Sequence, residues 1–285
     1  MPIYSKLFDF LEIGDQVDPV IMGVLNLSPE SFYKGSIYTN LKGLEKNAKD
    51  MIKNGAKILD LGARSTAPWS KKISVDEELK RIIPALNHLC IQLSSKCVIS
   101  IDTQYSEVAK EAYKIVQDNN NHMIINDVSC LSTDPSLAEF AIENEIPLIL
   151  MASKIIPGDL KDIKEILEVF QNTIKDLIHK GYSRRKIILD PGIGHWVKEK
   201  TYKYDLRLIK DLHMLREFDL PILVALSRKS FIGETLNKPE PEDRLNGTLS
   251  STAIAVFNGA HIVRTHDVTN QLFEIVKMAK EIRES

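Results

Sequence analysis

The chain has little that would tie it to an oxidising or a membrane environment. It carries three cysteines, Cys90, Cys97 and Cys130, in no CxxC spacing and with no histidine pair to complete a metal site. Neither a disulfide framework nor a zinc module is expected. No apolar run approaches the ~20 residues a membrane span needs. The opening segment MPIYSKLFDFLEIGDQ mixes charges early and has no apolar h-region, unlike a secretory signal. Charge nearly cancels, at a formal −2, which argues against a broad basic face for nucleic acid or membrane. Any basic site must be a local pocket. The expectation is a soluble, cytoplasmic chain with reduced thiols and, at 44% hydrophobic residues, an ample core.

What is present is repetition. Eight short apolar runs recur: Val20–Leu25, Lys57–Leu61, Val98–Ile101, Met123–Ile125, Pro147–Leu150, Lys186–Leu189, Pro221–Leu226 and His261–Val263. Most are rich in Ile, Leu and Val without alternation, as strands covered on both faces are. Helical patterns lie between them, near Leu41–Asn54, after Ser74, near Ser106–Gln117, from Asp134-Pro135, over Asp159–Lys180, Tyr204–Glu217, Arg244–Asn258 and Val268–Ile282. Asn40 is placed to cap the first, Ser74-x-x-Glu77 reads as a capping box, and Gly55, Gly181 and Gly259 stand behind helix ends. Strands alternating with helices imply parallel pairing. Eight units predict an α/β fold, a single (β/α)8 TIM barrel over 1–285. At 285 residues it exceeds the ~250 typical of the fold only slightly. Residues 1–19 form a lead-in whose Leu7, Phe8, Phe10 and Leu11 are candidates to plug the barrel bottom.

Such barrels carry their chemistry at the C-terminal rim, and nearly every run here stops at a residue able to bind something. Asp102 and Asp190 directly follow buried-looking runs, where a carboxylate is costly unless paired. A helix cap is an even rival for Asp102, and less so for Asp190, which Pro191-Gly192 turns away. With Asn126 they offer two acceptors and an amide, suited to a flat heterocycle with a donor–donor edge. Ser227-Arg228-Lys229-Ser230, with a turn at Gly233, and Arg264-Thr265-His266-Asp267 follow the seventh and eighth runs, where barrels frequently bind phosphate. For the first cluster the rival is a solvated loop, and for His266 a structural role. Asn26, ending the first run, is otherwise a turn residue. No GxGxxG appears. His88, His122, His179, His213 and His261 read as surface or core fillers.

Taken in order, IMGVLNLSPESF, ILDLGARSTAP, SIDT, IINDV, LILM, ILDPGIG, SRKSFIG and RTHDV resemble dihydropteroate synthases of the folate pathway, over roughly Val20 to Asn270. The resemblance implies a barrel that joins a dihydropterin pyrophosphate to p-aminobenzoate, a transferase step. By it, Asp102, Asn126, Asp190 and Lys229 hold the pterin and Met151 packs beside the ring. Arg264 and His266 bind the phosphates, while Ser230 lies near the aminobenzoate carboxylate and Thr66 belongs to a mobile second loop. Asp190, Lys229, Arg264 and His266 are the catalytic candidates. Asn26 is the implied ligand of Mg2+, the one cofactor expected, and a homodimer through the later helices is the implied assembly.

Two loops depart from that family. SPESFYKGS stands where TPDSFSDGG is usual, with Glu30 and Lys34 at the aspartate positions. GARSTAPW stands for GGESTRPG, with Arg64 in place of Glu and Ala67 in place of Arg. His195 follows DPGIG, and Ala152 replaces a histidine. Arg64 and Lys34 are therefore candidate cations toward a more anionic amine, such as a phosphorylated glycosyl derivative of aminobenzoate. A pterin-dependent methyltransferase of the same fold and a non-catalytic pterin-binding paralogue are the rival readings. Retention of SRKSFIG and R-x-HD speaks against the first, and the altered loops favour the second.

Overall fold

The computed structural model describes residues 2–28, 40–65, 72–93, 97–194, 197 and 199–285. The eight apolar runs become the parallel strands β3 Val20–Asn26, β4 Ala56–Gly62, β5 Val98–Asp102, β6 His122–Asp127, β7 Leu148–Met151, β8 Ile187–Asp190, β9 Leu223–Val224 and β10 Ile262–Thr265. They run in the order β8-β7-β6-β5-β4-β3-β10-β9, and a parallel bridge between Leu189 and Ile222 brings the two edges together. The chain is the (β/α)8 barrel its sequence predicts.

The lead-in is an antiparallel hairpin, β1 Tyr4–Phe8 and β2 Leu11–Gly14. Its Leu7, Leu11 and Ile13 join the inward residues Met22, Ile58, Val98, Ile124, Ile149, Ile188 and Ile262 in one buried cluster. Side chains alternate faces along a strand, so the next inward residues are Val24, Asp60, Ser100, Asn126, Met151, Asp190 and Arg264, most of them polar. The interior therefore changes within one step from an aliphatic floor to a polar layer. Burying each floor aliphatic favours folding by about 1.5–3 kcal/mol, which helps hold the costly polar layer in place. Phe10 is not part of the plug. It is 36% exposed and packs outside on the His122 ring at 5.0 Å.

Helices α1 Leu41–Lys53, α2 Val75–Gln92, α3 Ser106–Asp118, α4 Ser136–Glu143, α5 Ile163–His179, α6 Tyr202–Asp211, α7 Ser230–Leu236, α8 Leu245–Phe257 and α9 Asn270–Glu284 surround the strands. Asn40 Oδ1 accepts the Gly43 N–H at 2.7 Å, and Ser74 Oγ that of Glu77 at 3.1 Å, as their spacing predicts. Three boundaries differ, and one helix is added. The fifth helix begins a turn later, because Asp159 accepts the N–H groups of Lys154, Ile155 and Ile156 in the preceding loop and Asp162 caps instead. The sixth tightens into a 3-10 stretch over Leu212–Phe218. The fourth starts at Ser136, whose N–H the Asp134 carboxylate accepts at 3.0 Å. Finally, α7 is an additional short helix, and Gly233 lies within it rather than at a turn. A Cβ there would meet Lys238 O at 2.5 Å and Arg244 Nε at 2.6 Å, a close approach that excludes any side chain.

Candidate functional site

Strand register sets the site. Asp102 pairs with Asn126 across β5 and β6, and Met151 with Asp190 across β7 and β8. From β10, Arg264 reaches over the mouth. Its Nε donates to Asp60 Oδ2 at 2.6 Å and its Nη2 to Asp102 Oδ2 at 3.0 Å. Asp102 is thus an ion-pair partner and not a helix cap. Tyr105, which precedes α3, makes no side-chain cap bond. Asp190 Oδ1 accepts the Gly192 N–H at 2.8 Å, which fixes the turn after β8, and Lys229 Nζ donates to the Ile193 carbonyl of the same turn. Met151 lies against that turn, its Cγ 3.3 Å from where a Gly192 Cβ would stand. Asn126 Nδ2 faces both Asp60 oxygens at 3.3 and 3.4 Å, while its buried Oδ1 has no partner. An unpaired buried acceptor costs about 1–3 kcal/mol. Together these groups form a cavity wall of acceptors with one amide oxygen left over for a donor.

The electrostatics follow from crowding. Burial, then the neighbouring Asp60 charge, pushes the Asp102 carboxyl up to about 8 against the opposing pull of Arg264. Burial likewise raises Asp190, against the pull of Lys229. Lys229 is driven down to about 8 by burial, with Asp190 resisting. Burial alone would lower Arg264, yet Asp60 and Asp102 outweigh it and hold the guanidinium charged.

The basic side is built where β9 and β10 end. His266 sits beside Ser227, with Nδ1 3.1 Å from the hydroxyl. Burial and the charges of Arg264, Arg228 and Lys229 push the imidazole down to about 3, so it is neutral at physiological pH. Arg228 grips Asp267 at 2.8 and 2.9 Å and the carbonyls of Pro241 and Glu242, a clamp between the two loops. Ser230 is half-buried at the start of α7. Asn26 ends β3, where its Oδ1 accepts the Ser28 N–H at 2.9 Å.

Of the residues singled out by sequence, the structure brings Asp102, Asn126, Met151, Asp190, Lys229, Arg264 and His266 to one rim. Thr66, Glu30, Lys34, Ala67 and His195 lie outside the described residues. Arg64 is not the available cation expected of it. Its Nε meets Glu78 Oε2 at 2.8 Å, its Nη1 the Ile73 carbonyl at 2.6 Å, and its guanidinium lies 4.8 Å over the Tyr105 ring. Thr103 donates to the other Glu78 oxygen at 2.7 Å, so the buried pair ties the second loop to the end of β5. Sequence reasoning missed Asp60 and Glu78, and named Ser227 within its basic cluster without giving it a role. Asp60 gave a signal, a carboxylate inside an apolar strand.

Comparison with known proteins agrees with this geometry. The family described as "Pterin binding enzyme" matches residues 22–266. A dihydropteroate synthase of Bacillus subtilis is 36% identical over 268 residues, 92% of this chain and 86% of its own length. The structure of a dihydropteroate synthase from Coxiella burnetii in complex with pteroic acid superposes with a TM-score of 0.84 at 30% identity, covering 99% of this chain and 98% of that one. One from Xanthomonas albilineans with 4-aminobenzoic acid gives 0.84 at 27% identity and covers 100% of both chains.

Proposed function

The chain belongs to the family of pterin binding enzymes, and from that premise we propose that its rim carries out the dihydropteroate synthase reaction. The pyrophosphate ester of 6-hydroxymethyl-7,8-dihydropterin condenses with p-aminobenzoate, or a derivative of it, in folate or related pterin cofactor biosynthesis. The observation that carries this reading is the polar layer over the aliphatic floor. Asp102, Asp190 and the unpaired Asn126 Oδ1 present acceptors to a heterocycle whose pyrimidine edge is rich in N–H donors. Lys229, on the Asp190 side, offers the matching donor for the ring's oxygen and nitrogen. Met151 packs on the ring face.

The chemistry is a displacement at the exocyclic methylene. The C–O bond to the diphosphate breaks, its electron pair leaves with the diphosphate, and the arylamine nitrogen forms the new C–N bond. The anilinium so produced is acidic enough to lose its proton without a strong base. An arylamine is already neutral at pH 7, so the protein's work is electrostatic. Asp60, Asp102 and Asp190 favour the positive character that develops on the pterin methylene. Arg264, whose Nη1 has no hydrogen-bond partner among the described residues, and neutral His266 receive the departing charge. Ser230 stands by the aminobenzoate carboxylate.

Among the described residues no three acidic, histidine or cysteine side chains converge to hold a metal. Asn26 Oδ1 spends one lone pair on Ser28 and keeps one, which suits Mg2+ held chiefly by diphosphate and water oxygens. Bound there, the ion would neutralise charge on the leaving group.

The working form is a homodimer through α8 and α9. In support, α8 exposes Ile254 and Phe257 at 53% and 49% while α9 exposes Met278 and Ile282 at 63% and 56%. Four exposed large apolar side chains on two successive helices suit burial against a second copy. No described helix is long and apolar enough to cross a membrane, and the three cysteines are buried free thiols, in keeping with a cytoplasmic enzyme.

The test is pyrophosphate release from the dihydropterin pyrophosphate ester with Mg2+, with and without p-aminobenzoate. Arylamine-dependent release of one pyrophosphate per pteroate formed is expected. Tight pterin binding with no release would mark a non-catalytic paralogue, and methyl transfer from a methylated reduced pterin would mark a methyltransferase.

A further inference from the structure

Two cross-strand contacts at the basic side share one register. β9 and β10 pair Leu223 with Ile262 and Val224 with Val263, an offset of 39 residues. Carried past the strand ends, the same offset sets Ser227 opposite His266 and Arg228 opposite Asp267, and both pairs are in contact. The Arg228–Asp267 clamp is doubly bonded, and the Arg228 N–H is held by Thr248 Oγ1 at 2.9 Å. Its carbonyl accepts from Arg244 Nη1 at 3.0 Å. The backbone carrying Ser227 is thereby locked on both sides.

A serine hydroxyl has a single hydrogen to give. Ser227 Oγ accepts the His266 N–H at 3.3 Å and lies 3.1 Å from His266 Nδ1. Among the described residues the hydroxyl hydrogen has no other acceptor. With the hydroxyl donating to Nδ1, the proton of the neutral ring must sit on Nε2. The opposite tautomer would leave a buried hydroxyl hydrogen unpaired.

We propose that Ser227 is a positioning residue: its hydroxyl fixes His266 as the Nε2–H tautomer, so that the imidazole offers a hydrogen-bond donor, and not an acceptor, to the departing diphosphate. The inference rests on the dihydropteroate synthase reading of the site. In the opposite tautomer a lone pair would face the diphosphate oxygens and repel them, so a loosely held ring would lose leaving-group stabilisation for part of the time. The surrounding cations Arg264, Arg228 and Lys229 act in the same direction by keeping the ring neutral.

The tautomer is read directly by long-range proton–nitrogen NMR on protein labelled with 15N-histidine, with the His266→Gln variant assigning the signal. The wild type is expected to show the neutral Nε2–H form between pH 5 and 8. Ser227→Ala should show a mixture and bind inorganic pyrophosphate roughly tenfold more weakly, and Ser227→Thr, which keeps the hydroxyl, should restore both. A wild-type ring in the Nδ1–H form would overturn the inference. So would a Ser227→Ala ring held purely as Nε2–H with pyrophosphate affinity within twofold. If Ser227→Ala fails to fold, the wild-type and Ser227→Thr spectra still decide. Loss of all pyrophosphate binding in the wild type would overturn the reading of the site itself, which the tautomer measurement does not touch.

Discussion

Replacing Asp190 by asparagine should move binding and stability in opposite directions. Asp190 is 6% exposed, and one oxygen is committed to the Gly192 N–H at 2.8 Å. An asparagine oxygen can keep that bond, so the turn after β8 should survive. The second position changes from a charged acceptor to an NH2 donor that would face donors on the pterin edge. Losing a charge-assisted hydrogen bond and leaving donors opposed should weaken pterin binding by about 2–4 kcal/mol, roughly 30- to 1000-fold in Kd.

Stability should not follow. Burial holds the Asp190 carboxyl above its ordinary range, so the folded protein binds that proton more tightly than the unfolded chain does. The contribution of such a group to stability falls as pH rises from the unfolded carboxylate range through the folded value. At neutral pH ionising this carboxyl is therefore a burden, and removing it should raise Tm. Fluorescence titration with a reduced pterin and a thermal melt at pH 7, on the same preparation, measure both. Pterin affinity within threefold of wild type would remove Asp190 from the site. A Tm several degrees lower would show that its charge supports the fold, contrary to the burial argument.

Asp102, pushed up to about 8 by burial and Asp60, must lose its proton before both its oxygens can accept, one from Arg264 and one from a pterin. Affinity should rise with pH below 8, by up to roughly tenfold per unit, and calorimetry in buffers of different ionisation enthalpy should detect the released proton. A flat profile from pH 6 to 8 would contradict this. Asp15, buried beneath the barrel, accepts from Ile3 N, Arg216 and His261 at 2.7 to 3.1 Å. These bonds hold its carboxyl far below the usual range despite burial. Asp15→Asn should cost about 2–4 kcal/mol in urea unfolding, less than the usual buried pair because Arg216 keeps 33% of its side chain in water. The sign is that of a depressed carboxylate: its stabilisation is full above pH 4 and declines as pH falls further, so the variant should lack that acid slope. Parallel acid slopes would refute it. Ile254→Glu with Met278→Glu should convert a dimer to monomers in sedimentation without unfolding it, and an unchanged sedimentation coefficient would place the interface elsewhere.

The strands were legible because both their faces are covered, so each announces itself as an uninterrupted aliphatic run. The rim was legible for the same reason, since a polar residue at the end of such a run is conspicuous. Asp60 escaped notice because it sits inside a run and was counted with it. The cost of burying a carboxylate there was the available signal, and Arg264 is the partner that meets it. Ser227 could not be singled out, because its role depends on the register of two strand ends 39 residues apart. The seven residues of α7 are too few to show a helical period. The sequence starts the fifth helix too early because Asp159 and Asp162 are equally good caps by sequence, and only the loop's demand for an acceptor separates them.

Arg64 shows how a departure from the family pattern can leave the chemistry alone. As a cation in the second loop it suggested a changed preference for the amine. Its charge is cancelled at 2.8 Å by Glu78, whose side chain is wholly buried, and among the described residues the pair also meets Thr103, the Ile73 carbonyl and the Tyr105 face, with Arg64 Nη2 buried and without a hydrogen-bond partner. A neutral pair adds little field to the mouth. There Asp60, Asp102 and Asp190 line one side of the mouth, and Arg264, Lys229 and the neutral imidazole of His266 stand on the side where β9 and β10 end. In the proposed reaction the carboxyl side faces the pterin and the cationic side the departing diphosphate. Charge separating along the reaction thus finds both ends of its dipole already stabilised by groups that need not move, which is the condition under which a fixed site lowers a barrier most.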